Sequence, residues 1–339
     1  MRRTTSALAV AGVLAAAALV GTPASAPAAP ARDGRAAQQV HREIDYVALG
    51  DSYSAGPLVK APPGKPTFRP DPQACARSWN NYPAFVADYL DVSSYTDVTC
   101  SGAQVADFSS PQGGENPYAA PQLDALSADT DLVTIGIGGN DYGLFGSLVD
   151  TCGRLAQEHP DEATPCRDHY TVDGVDTKAR DARAIRTRIA GAVAAVHEAA
   201  PEADVYVVGY PQLMPLGAHT CDAVGFAAGD VAWGDHIEDL LNRSLRLGAT
   251  SQDATYVDTQ TISRGHDACA GLKAWINGSL VVFTGPKAGA NFHPNRAGER
   301  GMAKAVFGVV TGRPVSKAPT NANAAPPADA IVLNPAYPG

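Results

Sequence analysis

Ile44-Asp45-Tyr46-Val47-Ala48-Leu49-Gly50-Asp51-Ser52-Tyr53-Ser54 is the stretch on which the reading of the fold turns. Its first part, Ile44 to Leu49, is mostly aliphatic and aromatic and reads as a strand. Gly50 lets the chain turn sharply out of that strand. Asp51 and Ser52 are the residue types that cap a helix start. A strand that ends in a turn and a cap is half of a β-to-α unit, and open α/β sheets bind ligands at the carboxyl ends of their strands. A serine at that place can offer its hydroxyl to a substrate and its N–H to a developing oxyanion. The plainer reading is a polar cap with no chemistry, and Gly-Asp-Ser by itself does not separate the two.

Outward from this unit, strand-like and helix-like segments alternate as far as about Gly312. Pro83 to Leu90 predicts a short helix, Thr96 to Cys100 a second strand, and Leu132 to Ile137 a strongly β-branched third strand. Asp181 to Ala199 is the clearest helix, because Ile185, Ile189, Ala192, Val193 and Val196 fall on one stripe and Pro201 follows its end. Val205 to Val208 reads as a strand, Ile237 to Leu247 as a helix, Thr255 to Asp258 as a strand, and Asn295 to Val310 as a closing helix. Such alternation predicts a parallel sheet with helices on both faces. Pro57–Asn80, Gly143–Lys178 and Pro211–Asp235 fall outside the pattern. Long loops at strand ends shape binding sites, so Pro57–Asn80 and Pro211–Asp235 are expected to carry substrate preference.

The chain has 339 residues, 45% of them hydrophobic, and a net charge of −9. Nucleic-acid binding needs a basic face, so no nucleic-acid partner is expected. At the N-terminus, Arg2 and Arg3 precede an apolar run, Ala7 to Val20, that is short for a bilayer span. Ala29-Pro30-Ala31 then offers small residues for cleavage, whereas Pro27 hinders the earlier site at Ala26. Residues 1–31 therefore read as an export signal, with a membrane anchor as the alternative. No later stretch is apolar and long enough to anchor the chain. Residues 32–312 read as one domain, and the Ala/Pro/Asn-rich residues 313–339 as a loose tail. The expected product is a secreted, extracellular monomer.

Cysteine content fits an oxidising destination. Cys75, Cys100, Cys152, Cys166, Cys221 and Cys269 make an even set, which in an exported chain favours disulfides. Sequential pairing, Cys75–Cys100, Cys152–Cys166 and Cys221–Cys269, closes one local loop per bridge. A zinc site is the rival reading, since His159 and His169 lie near Cys152 and Cys166, but the spacing matches no tight zinc motif. No metal is expected.

Three more blocks give Ser52 a context. Ser101-Gly102-Ala103 follows the second predicted strand, and the Gly102 N–H can serve as an oxyanion donor. Gly138-Gly139-Asn140-Asp141 follows the third, and Asn140 carries a side-chain amide able to do the same. His293-Pro294-Asn295 precedes the last helix and can bring an imidazole to Ser52. Taken singly, each has a bland reading: a turn at Gly102, a cap at Asn140 or Asn295, a surface histidine at His293.

In this order, Gly-Asp-Ser-Tyr-Ser, Cys-Ser-Gly-Ala, Gly-Ile-Gly-Gly-Asn-Asp and Asn-Phe-His-Pro-Asn resemble the SGNH (GDSL-type) hydrolase family, over about residues 44–310. The chain looks most like the secreted actinomycete esterases and lipases of that family, which also carry three disulfides. The resemblance implies a flavodoxin-like, three-layer α/β/α sandwich and makes residues 32–312 the catalytic domain. It implies that Ser52 is the nucleophile, that His293 is the general base, and that the Ser52 N–H, the Gly102 N–H and the Asn140 amide form an oxyanion hole. The chemistry is acyl transfer from a small-molecule or lipid ester and needs no cofactor. Gly-x-Ser-x-Gly, the nucleophile elbow of α/β-hydrolases, is absent. The family commonly has an aspartate three residues before the histidine. Ala290 stands there, so its backbone carbonyl is expected to orient His293, with Asp258 and Asp267 as the rival carboxylates. A phospholipase or a carbohydrate O-acetylesterase is the alternative activity, and a non-catalytic binding protein on the same fold the remaining one.

Overall fold

The structure, a computed structural model, describes residues 43–70, 72–217, 219–313 and the backbone of 331–333. The expected signal, residues 1–31, lies outside the described residues.

Six parallel strands form the main sheet: β1 (Asp45–Gly50), β2 (Ser94–Asp97), β3 (Leu132–Gly136), β6 (Asp204–Val208), β7 (Thr255–Val257) and β8 (Ile331–Leu333). Their order is β7-β6-β3-β1-β2-β8. A two-stranded antiparallel hairpin, β4 (Thr171–Val172) with β5 (Val175–Asp176), stands apart from it. The helices are α1 (Ser52–Ala55), α2 (Tyr82–Leu90), α3 (Leu144–Glu158), α4 (Pro165–His169), α5 (Thr177–Ala199), α6 (Ala228–Thr250), α7 (Thr259–Ile262) and α8 (Arg296–Thr311). The expected three-layer α/β/α sandwich is present.

Alternation along β1 builds the two cores. Tyr46 and Ala48 point to one face, where they pack with Phe85 of α2 and Met302 and Val306 of α8. Val47 and Leu49 point to the other, where Ile185 and Ile189 of α5 and Leu241 and Leu245 of α6 cover them. Successive side chains of a strand alternate faces, so apolar residues at every position require a helical layer on each side. The α5 stripe is buried as its spacing predicts, and the Asp176 side chain caps its start by accepting from the Ala179 N–H at 2.8 Å.

Some bounds differ from the sequence reading. β2 starts at Ser94, not Thr96, and α6 at Ala228, not Ile237. The first turn of α6 is fixed from outside: Asp230 accepts from the backbone N–H groups of Cys166 and Arg167, both at 2.9 Å. Segment 143–178 holds a full helix, α3, whose buried Leu144, Leu148, Cys152 and Leu155 form a stripe. That periodicity was legible. The segment read as loose supplies one strand, Ile331–Leu333, paired parallel with β2; 314–330 and 334–339 lie outside the described residues.

The three disulfides join Cys75 to Cys100, Cys152 to Cys166 and Cys221 to Cys269. Among the described residues, no cluster of His, Cys, Asp and Glu is arranged to hold a metal ion, and no helix is long and apolar enough to cross a membrane.

Candidate active site

Strand order reverses between β1 and β3: β2 lies on one side of β1, and β3, β6 and β7 run outward on the other. The loops that leave β1 and β3 therefore part in opposite directions and open a crevice at their carboxyl ends. Ser52 follows β1 and Asn140 follows β3, so both face that crevice.

Gly50 makes the approach possible. A Cβ there would lie 2.5 Å from the Gly136 carbonyl oxygen and 2.4 Å from Ser54 Oγ. Asp51 caps α1 by accepting from the Tyr53 N–H at 2.9 Å, which leaves Ser52 as the first residue of the helix. The first N–H groups of a helix have no partner within it. Among the described residues, the N–H groups of Ser52 and Gly102 donate to no backbone carbonyl.

His293 Nε2 stands 2.8 Å from Ser52 Oγ, and His293 Nδ1 stands 2.6 Å from the carbonyl oxygen of Asn291. A carbonyl can only accept, so Nδ1 carries the proton and Nε2 presents a lone pair to the serine hydroxyl. Burial lowers the His293 pKa below its ordinary value, and the Asn291 carbonyl partly opposes this. The neutral ring is thus favoured, as a general base requires.

The Asn140 side chain does not cap the turn it begins. Its Nδ2 donates to the Ala103 carbonyl at 3.0 Å, which holds the amide in place and leaves its second hydrogen for another acceptor. Ser52, Asn140 and His293 line one cavity. Gly102 lies on an exposed turn with φ +81°, next to the Ala103 carbonyl that anchors Asn140.

Residues 48–300 match the GDSL-like lipase/acylhydrolase family. The chain belongs to this family. It is a serine ester hydrolase. The hydrolase is 39% identical to Lipase 2 of Streptomyces coelicolor, over 85% of this chain and 91% of that protein. Its fold matches an extracellular lipase from Streptomyces rimosus with a TM-score of 0.61 and 28% identity, covering 78% of this chain and 98% of the other. Phospholipase A1 from Streptomyces albidoflavus matches with a TM-score of 0.61 and 29% identity, covering 79% and 99%.

One site expectation needs correction. The carbonyl that orients His293 is that of Asn291, not Ala290. Phe292 adopts φ +54°, and this left-handed residue folds the Asn291 carbonyl back onto the ring two positions ahead. The Ala290 carbonyl instead accepts from Asn277 Nδ2 at 3.2 Å, and the Ala290 N–H donates to the Pro57 carbonyl. Neither rival carboxylate is at the ring. Asp258 accepts from the Thr261 N–H and pairs with Arg246, and Asp267 accepts from the Cys269 N–H.

Two tyrosines that the sequence reading passed over support the hydrolase's site. Tyr53 donates to the Phe292 carbonyl at 2.5 Å, and its ring centroid lies 4.9 Å from that of His293. It thereby braces the left-handed turn. Tyr210 donates to Asp51 at 2.5 Å and accepts from the Gly139 N–H at 2.7 Å, tying the serine block to the asparagine block. Burial pushes the Asp51 carboxyl up to about 7, against the hydrogen bonds from Tyr210 and the Tyr53 N–H. No local pattern marks Tyr210, because its partners are remote in sequence.

The cavity has a volume of about 150 Å³, and Phe145, Leu148, Val149, Leu213, Met214 and Phe292 form its apolar wall. Buried Glu238 stands in this wall; it accepts from the Leu213 and Met214 N–H groups, and burial raises its carboxyl well above the usual range. Leu213 and Met214 come from segment 211–235, which therefore reaches the cavity. Pro57–Asn80 contributes no lining residue. It packs on β2, where buried Arg69 lies 3.5 Å from Asp97 and over the rings of Trp79 and Tyr95. Helix α3 supplies the opposite wall in its stead.

Proposed function

We propose that this hydrolase is an exported lipase that cleaves esters of apolar acyl chains, with Ser52 as nucleophile and His293 as general base. The carrying observation is the 2.8 Å contact between Ser52 Oγ and His293 Nε2 at an apolar cavity of about 150 Å³. The Ser52 hydroxyl proton passes to Nε2 as Oγ bonds to the ester carbonyl carbon. The oxygen that gains charge is held by the Ser52 and Gly102 N–H groups and the Asn140 amide. The alkoxide leaves with the proton from Nε2, and the acyl group stays on Ser52. Water, deprotonated by the same nitrogen, then releases the acid. The Asn291 carbonyl aims the ring in place of an aspartate, so the working unit is a dyad.

The names borne by the relatives, lipase and extracellular lipase, agree with an acyl chain in this cavity. An acetyl group would leave most of it unfilled, which disfavours the sugar O-acetylesterase reading. Phospholipid is the second substrate reading, favoured by the likeness to a phospholipase A1. Export is supported by the N-terminal signal reading and by the three disulfides. One chain supplies Ser52, Asn140 and His293, so a monomer suffices.

A fluorophosphonate probe and a series of p-nitrophenyl esters from acetyl to palmitoyl test the proposal. The probe should label Ser52 alone, Ser52→Ala should lose nearly all turnover, and kcat/KM should peak at an acyl chain longer than acetyl. Labelling of another serine would overturn the nucleophile. A maximum at acetyl would overturn the lipase reading and leave the dyad standing. Fatty-acid release from phosphatidylcholine that outruns release from triacylglycerol would select the phospholipase reading.

A further inference from the structure

The segment that delivers His293 also carries the most exposed apolar side chains of the described residues. Leu272 is 97% exposed, Leu280 78% and Phe283 76%, with Val281 beside them. Isolated exposed leucines are ordinary, but contiguous ones mark a contact surface. Leu280, Val281 and Phe283 are near neighbours in one stretch of chain, and a hydrogen bond ties the loop that carries Leu272 to the same stretch. Residues 276–294 form an irregular hairpin with bridges between Ile276 and Pro294 and between Val282 and Gly289, and the Phe292 N–H donates to the Gly278 carbonyl at 2.9 Å. Leu280, Val281 and Phe283 lie at its outer end. Lys287 Nζ, also near that end, donates to the Gly271 carbonyl, which ties the loop carrying Leu272 to the hairpin.

The hairpin is held rather than loose. The Ser279 N–H donates to the Ala223 carbonyl at 2.6 Å, the Cys221–Cys269 bridge closes the neighbouring loop, and Ile276 and Phe292 are buried in the core. Its base, Asn291-Phe292-His293, lines the cavity. The exposed apolar end and the cavity rim are thus two ends of one rigid element. Charge picks the occupant. In a chain of net charge −9, no Asp or Glu occurs from Ala268 to Gly298, whereas Lys273 and Lys287 do. Acid-free sequence with lysine, leucine and phenylalanine suits an anionic lipid surface, where apolar side chains enter the headgroup boundary and cations meet the phosphates.

We infer that Leu272, Leu280, Val281 and Phe283 form an interfacial docking surface that seats the enzyme on an anionic lipid surface beside the cavity. The inference rests on the reading of the substrate as a lipid ester. Its test separates the two by measuring binding without turnover. The Ser52→Ala protein, with and without the added changes Leu272→Ser, Leu280→Ser and Phe283→Ser, is sedimented with vesicles of phosphatidylcholine and phosphatidylglycerol in equal parts, and of phosphatidylcholine alone. The active-serine versions are assayed on a soluble ester. The triple change should weaken binding to the mixed vesicles by about tenfold or more, while kcat/KM on the soluble ester stays within about twofold. Unchanged vesicle binding by the triple variant, or no binding by its parent, overturns the surface. Equal binding of the parent to phosphatidylcholine alone overturns the anionic assignment. A parent that is dimeric, with a monomeric triple variant, overturns it in favour of a self-interface. Vesicle binding without lipid hydrolysis by the wild type would sink the substrate reading and leave the docking surface intact.

Discussion

At the scale of single residues, the site depends on which atom meets Nδ1 of His293. A backbone carbonyl cannot ionise, so it orients the ring without adding a charge for the imidazolium. The left-handed Phe292 that presents this carbonyl costs about 1–2 kcal/mol for a residue with a side chain, and the Tyr53 hydroxyl on its carbonyl helps to hold it. Two groups near Ser52 titrate in different ranges. Burial lowers His293 from its ordinary value and raises Asp51 to about 7. As the proposed base, His293 must be neutral, so activity is expected to be lost as pH falls through its pKa. On a soluble ester, kcat/KM is expected to rise with pH along one limb whose midpoint lies below about 6.5, the ordinary histidine value. A midpoint near 7 would assign the controlling ionisation to Asp51.

At the scale of elements, the three proposed oxyanion donors sit in turns that follow three different strands, cross-linked by polar contacts. The Ala103 carbonyl after β2 holds the Asn140 amide after β3, and Tyr210 after β6 bridges the β1 and β3 turns. Asn140→Ala removes one donor without disturbing a cap, because the Asn140 side chain caps nothing. It is expected to lower kcat by about 10²–10³ with little change in KM, since the interaction strengthens only as charge develops. Steady-state kinetics on a short soluble ester checks this. A KM effect with unchanged kcat would mean that Asn140 only binds ground-state substrate.

At the scale of the whole molecule, the disulfides fasten segments outside the sheet: Cys152–Cys166 ties α3 to α4, and Cys221–Cys269 ties two loops together. Cys75–Cys100 joins the proline-rich segment packed on β2 to the turn that carries Gly102, and the Ser101 N–H donates to the Cys75 carbonyl. Replacing both cysteines by alanine is expected to cost about 2–4 kcal/mol of stability. It should also lower kcat, because the proposed Gly102 donor loses its tether. Chemical denaturation and kinetics on the same preparation measure both. Lost stability with full kcat would show that the β1–β2 backbone contacts hold Gly102 unaided.

Fold class was legible because β1, β3 and α5 carry strong periodic patterns, and because each helix and strand packs by the face that its own spacing defines. The four motif blocks were legible for a related reason: three follow strands β1, β2 and β3 and the fourth leads into α8, and at such element ends local turn and cap chemistry restricts the residue type. Ser52, Asn140 and His293 therefore came from sequence and meet at one cavity. Tertiary structure decided the rest. Whether Ala290 or Asn291 faces the imidazole depends on a single φ angle at Phe292, a phenylalanine with no local signal for the left-handed region. That Tyr210 links Asp51 to Gly139 depends on a separation of 159 residues between Tyr210 and Asp51, which no local pattern encodes. The wall of the cavity follows from which side of β1 each loop lands on. That is set by the strand order, and strand order is a property of how the packed layers close rather than of any one segment.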